Sequence, residues 1–170
     1  SGMMSVEDAL PAPWKVHKVG DLPGGQRAMF LNGQFTIKGG GSKGVWNGGG
    51  GFRMVSQKMV GDGEITARVT SVDNTHVYGS AGIMIRGKFI PESKYAAVVM
   101  TPGLVAFQGR DTEGTNYFST NETRMTPPYW VRLKRNGNWF SAYLSKNGSS
   151  WTNIGMQNIP LVTSVFVGLG

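Results

Sequence analysis

The stretch Pro128–Gly155, PYWVRLKRNGNWFSAYLSKNGSSWTNIG, constrains this chain more than any other. Trp130, Arg132 and Lys134 alternate with Val131, Leu133 and Arg135, a period of two that a strand half in water produces. Asn136-Gly137 follows, the dipeptide that most readily takes positive φ at both centres of a type I′ turn. Trp139–Ser145 alternates again, with Phe140, Ala142 and Leu144 on one face and Trp139, Ser141 and Tyr143 on the other. Lys146-Asn147-Gly148 turns the chain once more, and Trp151 and Ile154 open a third short run. Two tight turns so close together make an antiparallel meander.

The rest of the chain carries the same signal. Edge-like alternation runs over Trp14–Val19, and Phe30–Lys38 holds an Asn32-Gly33 turn and a strand. Phe52–Val60, Glu64–Val72, Ser80–Arg86, Lys94–Thr101, Leu104–Arg110 and Val162–Leu169 read as strands, and Phe118–Arg124 as an edge strand. Glycine, 26 of 170 residues, is about twice its ordinary share of roughly 7% and falls between the apolar runs, as turns require. About a dozen strands and no helix leave one way to bury apolar faces, an all-β sandwich of two antiparallel sheets. The length suits one domain, expected over 14–170 behind a lead-in at 1–13 whose opening Ser-Gly-Met reads as a cloning remnant.

Several chemistries fall away. Without cysteine there is no disulfide, thiolate metal site or cysteine nucleophile. His17 and His76 have no partner at ligand spacing, so neither a metal nor another cofactor is expected. Gly39–Gly51 lacks the Gly-Lys-Ser ending of a phosphate cradle, and no Gly-x-Ser-x-Gly elbow occurs. Asp62 and Glu64 have the spacing of paired glycosidase carboxylates on one strand, but Asp62 lies between two glycines and is expected to shape a turn. Asp111 and Glu113 are a thin donor set for calcium. No catalytic residue is assigned. The net charge of +7 favours either an acidic partner or a solvated basic face. Its cations are scattered except for Arg132-Lys134-Arg135, which argues against a nucleic-acid partner. No apolar run approaches the ~18 residues of a membrane span.

Binding is the better-supported chemistry. A sugar presents an apolar face and a ring of hydroxyls, so its site needs an aromatic platform beside charged or amide groups. Arg86 ends its strand on the polar side with Met84, and Gln108 and Arg110, two residues apart, share a face of theirs. Trp46, Tyr78 and Tyr117 lie in loops placed to rim such a surface. The competing reading pairs both arginines with carboxylates and uses Trp46 to cap the core. Trp130, Trp139 and Trp151 are assigned to packing.

Seven segments together resemble a known family: GDGEITARV (61–69), AGIMIRG (81–87), SKYAAVVMTP (93–102), FQGR (107–110), PYWVRLKRNGN (128–138), YLSKNGSSW (143–151) and VFVGL (165–169). Over about residues 14–169 the chain is similar to the bacterial concanavalin A-like (laminin G-like) lectin/glucanase domain appended to secreted proteins and carbohydrate-active enzymes. The resemblance implies a jelly-roll sandwich with one concave sheet used for glycans, to which Arg86, Gln108 and Arg110 would belong. It also implies a secreted or cell-surface setting. The chain departs from the family's pattern at Asn47–Gly51 and at Asn147, where an acidic residue is common. The family usually adds a strand beyond the VGL segment, so this chain is expected either to be truncated or to close its sheet with an N-terminal strand. The function expected is non-catalytic carbohydrate recognition by a monomer that needs no metal and does not insert into membranes. The alternatives are a structural or adhesion sandwich that binds protein, and a glycoside hydrolase-like domain.

Overall fold

The computed structural model of the protein describes residues 10–22, 28–38, 51–73 and 79–170. Its strands are β1 (Lys15–Val19), β2 (Ala28–Leu31), β3 (Gln34–Ile37), β4 (Phe52–Val60), β5 (Gly63–Val69), β6 (Ala81–Arg86) and β7 (Tyr95–Met100). They continue with β8 (Leu104–Arg110), β9 (Phe118–Arg124), β10 (Tyr129–Asn136), β11 (Trp139–Ser145), β12 (Thr152–Asn158) and β13 (Ser164–Leu169). A seven-stranded sheet in the order β1-β4-β13-β6-β7-β8-β9 packs on a four-stranded sheet in the order β12-β11-β10-β5. The hairpin β2-β3 forms a small third sheet. The fold is the expected all-β antiparallel sandwich, and no helix is long and apolar enough to cross a membrane.

Alternation explains the stacking. Ile83 and Ile85 of β6, Val98 of β7, Phe107 of β8 and Val165 and Val167 of β13 point into one apolar layer. Ile65, Val131, Leu133, Phe140, Leu144 and Ile154 meet them from the four-stranded sheet. β6 and β7 bury their other face as well, where Met84, Tyr95, Ala97 and Val99 join Val19, Phe52 and Met54 in a second cluster. That is why Tyr95–Met100 reads as an unbroken apolar run: a strand covered on both sides has no polar face to alternate. Gly82 and Gly168 belong to this sheet at points where the carbonyls of Val98 and Val55 occupy the space a Cβ would need.

The last strand is central. β13 pairs with β4 on one side and β6 on the other, and β1 fills the edge beyond β4. The N-terminal strand is thus the edge of this sheet. The Asn32-Gly33 turn joins β2 to β3 with positive φ at both residues, 51° and 77°, as a type I′ turn requires.

Two details correct the sequence reading. The β10–β11 register pairs Asn136 with Trp139, so the turn residues are Gly137 and Asn138, with the positive φ of 61° on Gly137. This is the type II′ pattern, with glycine at the first centre, rather than type I′ on Asn136-Gly137. Asn136 stays in the strand and its side chain joins the outer row. Second, Arg132, Lys134 and Arg135 are not one basic patch. Arg135 is buried, its guanidinium 5.7 Å from the Phe140 ring, and it donates to the carbonyls of Gly137, Leu161 and Val162 at 2.9, 3.0 and 2.9 Å. Arg132 and Lys134 project from the opposite face.

Leu133 is fully buried between the sheets, and a buried leucine contributes about 1.5–3 kcal/mol through apolar area alone. With the cavity included, Leu133→Ala should cost about 2–5 kcal/mol of unfolding free energy, read from the midpoint of a urea titration. A loss under about 1 kcal/mol would mean that Leu133 is not at the packed interface.

Candidate functional site

The structure brings Arg86, Gln108 and Arg110 to the outer face of the seven-stranded sheet, as the spacing predicts. Arg86 pairs with Tyr95 and Tyr95 with Arg110, so the two cations flank one tyrosine across three strands. Their guanidinium carbons lie 5.7 and 5.4 Å from the Tyr95 ring centroid, and Arg86 also lies 5.3 Å from the Phe52 ring. Aromatic faces are a favourable setting for buried cations.

Both guanidiniums are spent on main-chain carbonyls, and Arg86 also donates to Met84 Sδ at 3.2 Å. Arg86 is 1% exposed and donates to the carbonyls of Lys88 and Ile90. Arg110 is 4% exposed and donates to Thr115, Pro91 and Ser93 at 2.8, 2.6 and 3.0 Å. Among the described residues the carboxylate pairing weighed in the sequence is not seen; carbonyl oxygens of two loops take its place. Arg86 holds the β6–β7 connection, and Arg110 draws that connection and the β8–β9 loop onto one floor. At the exposed rim Lys88 and Glu113 complete the join at 2.8 Å. Burial lowers Arg86 to about 10 and raises the Tyr95 phenol to about 12, so cation and phenol both persist at neutral pH.

The remaining residues of this expected site are divided. Tyr117 is half-buried against the second apolar cluster. Gln108 donates to Ser119 Oγ at 3.4 Å, and its Oε1 is buried with no hydrogen-bond partner. Trp46, Tyr78 and His76 lie outside the described residues. Of the acids weighed, Asp62 accepts a 2.7 Å hydrogen bond from the Gly137 amide and ties two turns together, as a turn-shaping residue should. Glu64 faces solvent beside Lys134 in the β5–β10 register. Glu113 is paired with Lys88. Among the described residues no group of three histidine, aspartate or glutamate side chains stands close enough to hold a metal ion.

A second surface was missed by the sequence reading. The outer face of the four-stranded sheet is built in rows across the strands. Asn136, Trp139 and Asn158 share one row, and Lys134, Ser141 and Met156 the next. Arg132 and Tyr143 follow, and then Trp130 and Ser145. Lys134, Asn136, Trp139, Ser141, Tyr143 and Met156 line an open depression of about 330 Å³. Trp139 is 50% exposed and Met156 60%. None of the six side chains makes a hydrogen bond or ion pair among the described residues.

The assignment of all three tryptophans to packing is therefore corrected at Trp139. Gly148 lies against the Trp130 indole, and the Arg132 guanidinium stacks 3.9 Å from the Trp151 ring while donating to Thr66 Oγ1 at 2.9 Å. Trp139 lacks such a cover because it opens β11 on the face opposite Phe140, Ala142 and Leu144. The alternation already placed it with Ser141 and Tyr143, and that parity was the signal.

No protein-family model matches the chain. No curated protein matches it either. Among solved structures it is similar to a functionally unknown protein from Saccharomyces cerevisiae, at 14% identity and a TM-score of 0.54, covering 69% of this chain and 63% of that one. It is also similar to the carbohydrate-binding module CBM66 from Bacillus subtilis, at 16% identity and a TM-score of 0.50, covering 78% of this chain and 83% of that one. The chain thus spans less than two thirds of the yeast protein's length, and at these identities the likeness is one of fold.

The two surfaces should respond differently to truncation. Arg110→Ala removes charge-assisted hydrogen bonds worth about 1.5–3 kcal/mol each and strands the carbonyls they satisfy, so it should lower the melting temperature by several degrees. Trp139→Ala should leave the unfolding free energy within about 0.5 kcal/mol of the parent. Equal melting temperatures for the Arg110 variant and the parent would remove Arg110 from its loop-holding role.

Proposed function

We propose that this protein is a non-catalytic carbohydrate-recognition module, acting as an accessory domain of a secreted bacterial protein. The observation that carries the reading is the platform around Trp139: a half-exposed indole and a tyrosine, with lysine, amide and hydroxyl groups beside them and, among the described residues, no hydrogen-bond or ion-pair partner for any. A sugar ring stacks its apolar face on such an indole while its hydroxyls meet the neighbouring polar groups. Likeness to a carbohydrate-binding module supports the same chemistry, and the concanavalin A-like segments of the sequence support the secreted setting.

A second reading places the ligand over Gln108, Arg86, Arg110 and Tyr117. What favours it is the Gln108 Oε1, a buried acceptor with no hydrogen-bond partner that a hydroxyl would satisfy.

A polysaccharide and glycan binding screen tests both. Trp139→Ala should weaken the best ligand by about tenfold or more, the equivalent of about 1.4 kcal/mol, at unchanged melting temperature. Gln108→Leu should leave affinity unchanged. The opposite outcome moves the site to the seven-stranded sheet, and no binding to any glycan returns the protein to the structural or adhesion reading.

A further inference from the structure

The platform continues beyond the Trp139 depression. From the Asn136–Trp139 row to the Trp130–Ser145 row the face runs six residues along β10 and β11, ~20 Å at about 3.4 Å per residue. Trp139 and Tyr143 are its open rings, and farther along lie Trp151, stacked under Arg132, and Trp130, against Gly148. An elongated strip of this kind fits the inside of a linear chain better than a single terminal sugar, because successive rings of the chain can meet successive aromatic groups.

The charge on the strip is one-sided. Lys134 and Arg132, two residues apart on one strand face, stand at its middle, and Arg68 lies opposite Trp130 in the β5–β10 register. Glu64 is the only carboxylate in the rows these cations occupy. Lys134 and Arg68 are exposed, and neither has an ion-pair partner among the described residues. A neutral polysaccharide would leave three cations on this face with one acid between them. A polyanion with stackable rings satisfies rings and cations together.

The geometry points to a linear acidic polysaccharide, one bearing uronic-acid carboxylates, lying along the β10–β11 direction of this face. Its pyranose rings stack on Trp139 and Tyr143, and its carboxylates meet Lys134, Arg132 and Arg68. The inference rests on the carbohydrate-recognition reading and adds the substrate class to it. Single-stranded nucleic acid also combines rings with negative charge, and aromatic sheet faces bind it. The polysaccharide is favoured because the row at the open end of the strip is made of amides, Asn136 and Asn158, around an indole, groups suited to sugar hydroxyls rather than to a phosphate backbone.

The test is calorimetric titration of the whole chain with polygalacturonate, alginate and hyaluronate. Each is compared with its carboxyl-reduced counterpart, over a series of chain lengths and at low and high salt, with a single-stranded oligonucleotide as competitor. At least one acidic polymer should bind, its longer oligomers more tightly than its disaccharide. Lys134→Gln and Arg68→Gln should each weaken that polymer by about fivefold and leave the reduced one unchanged, and Trp139→Ala should weaken both. Equal affinity for the acidic and reduced polymers overturns the acidic assignment while leaving carbohydrate recognition standing. Binding to the disaccharide as tight as to long oligomers overturns the extended strip. Failure of every polymer sinks this inference and the reading beneath it, and oligonucleotide binding tighter than any polysaccharide replaces the ligand class altogether.

Discussion

The structure depends on one apolar layer, the side chains that β6, β7, β8 and β13 send down onto those of β5, β10, β11 and β12. Stacked sheets bury alternate residues of each strand, so this contact decides which face of every strand is left over. For the four-stranded sheet the remainder is open and carries Trp139, Tyr143 and Met156 among polar groups. For the seven-stranded sheet the remainder is itself covered around Tyr95, and the cations on it are enclosed. The contrast between the two outer faces follows from that difference.

Enclosure changes what an arginine can do. Arg86 keeps its charge under burial, and around both Arg86 and Arg110 carbonyls and aromatic faces take the place of water. Those partners are loop main chain, so the side chains fix the β6–β7 and β8–β9 connections. Arg132 and Lys134 meet solvent on the other sheet and keep donors available. Residues of the same chemical type thus do different work according to the sheet that carries them. Arg135 makes the point within one strand: one position from Lys134, it turns inward and closes the end of the sandwich with bonds to the β12–β13 segment.

Turn chemistry sets the platform's composition. Placing the β10–β11 turn on Gly137-Asn138 keeps Asn136 in register with Trp139 and Asn158, which frames the indole with two amides. Asp62 reaches the Gly137 amide from the neighbouring turn and pins that end of the sheet. A turn on Asn136-Gly137 would have paired Trp139 with Lys134, leaving the face apolar or polar at the same parity but with different neighbours. Register, not residue type alone, made this row.

Fold class and nearly every strand were legible in the residues alone, because a period of two with glycine and asparagine turns leaves the backbone little else to form. Phe140, Ala142 and Leu144 were legible as a core face, as were Ile83 and Ile85, from local alternation. The shared face of Arg86, Gln108 and Arg110 was legible from spacing as well. That this face is covered and the one bearing Trp139 is not came from the packed fold. Alternation divides a strand into two sides without saying which distant loop lies over either, and the central place of β13 between β4 and β6 is equally non-local. Burial of an arginine or exposure of a tryptophan is settled by residues far away in the chain, and no spacing within a strand encodes it.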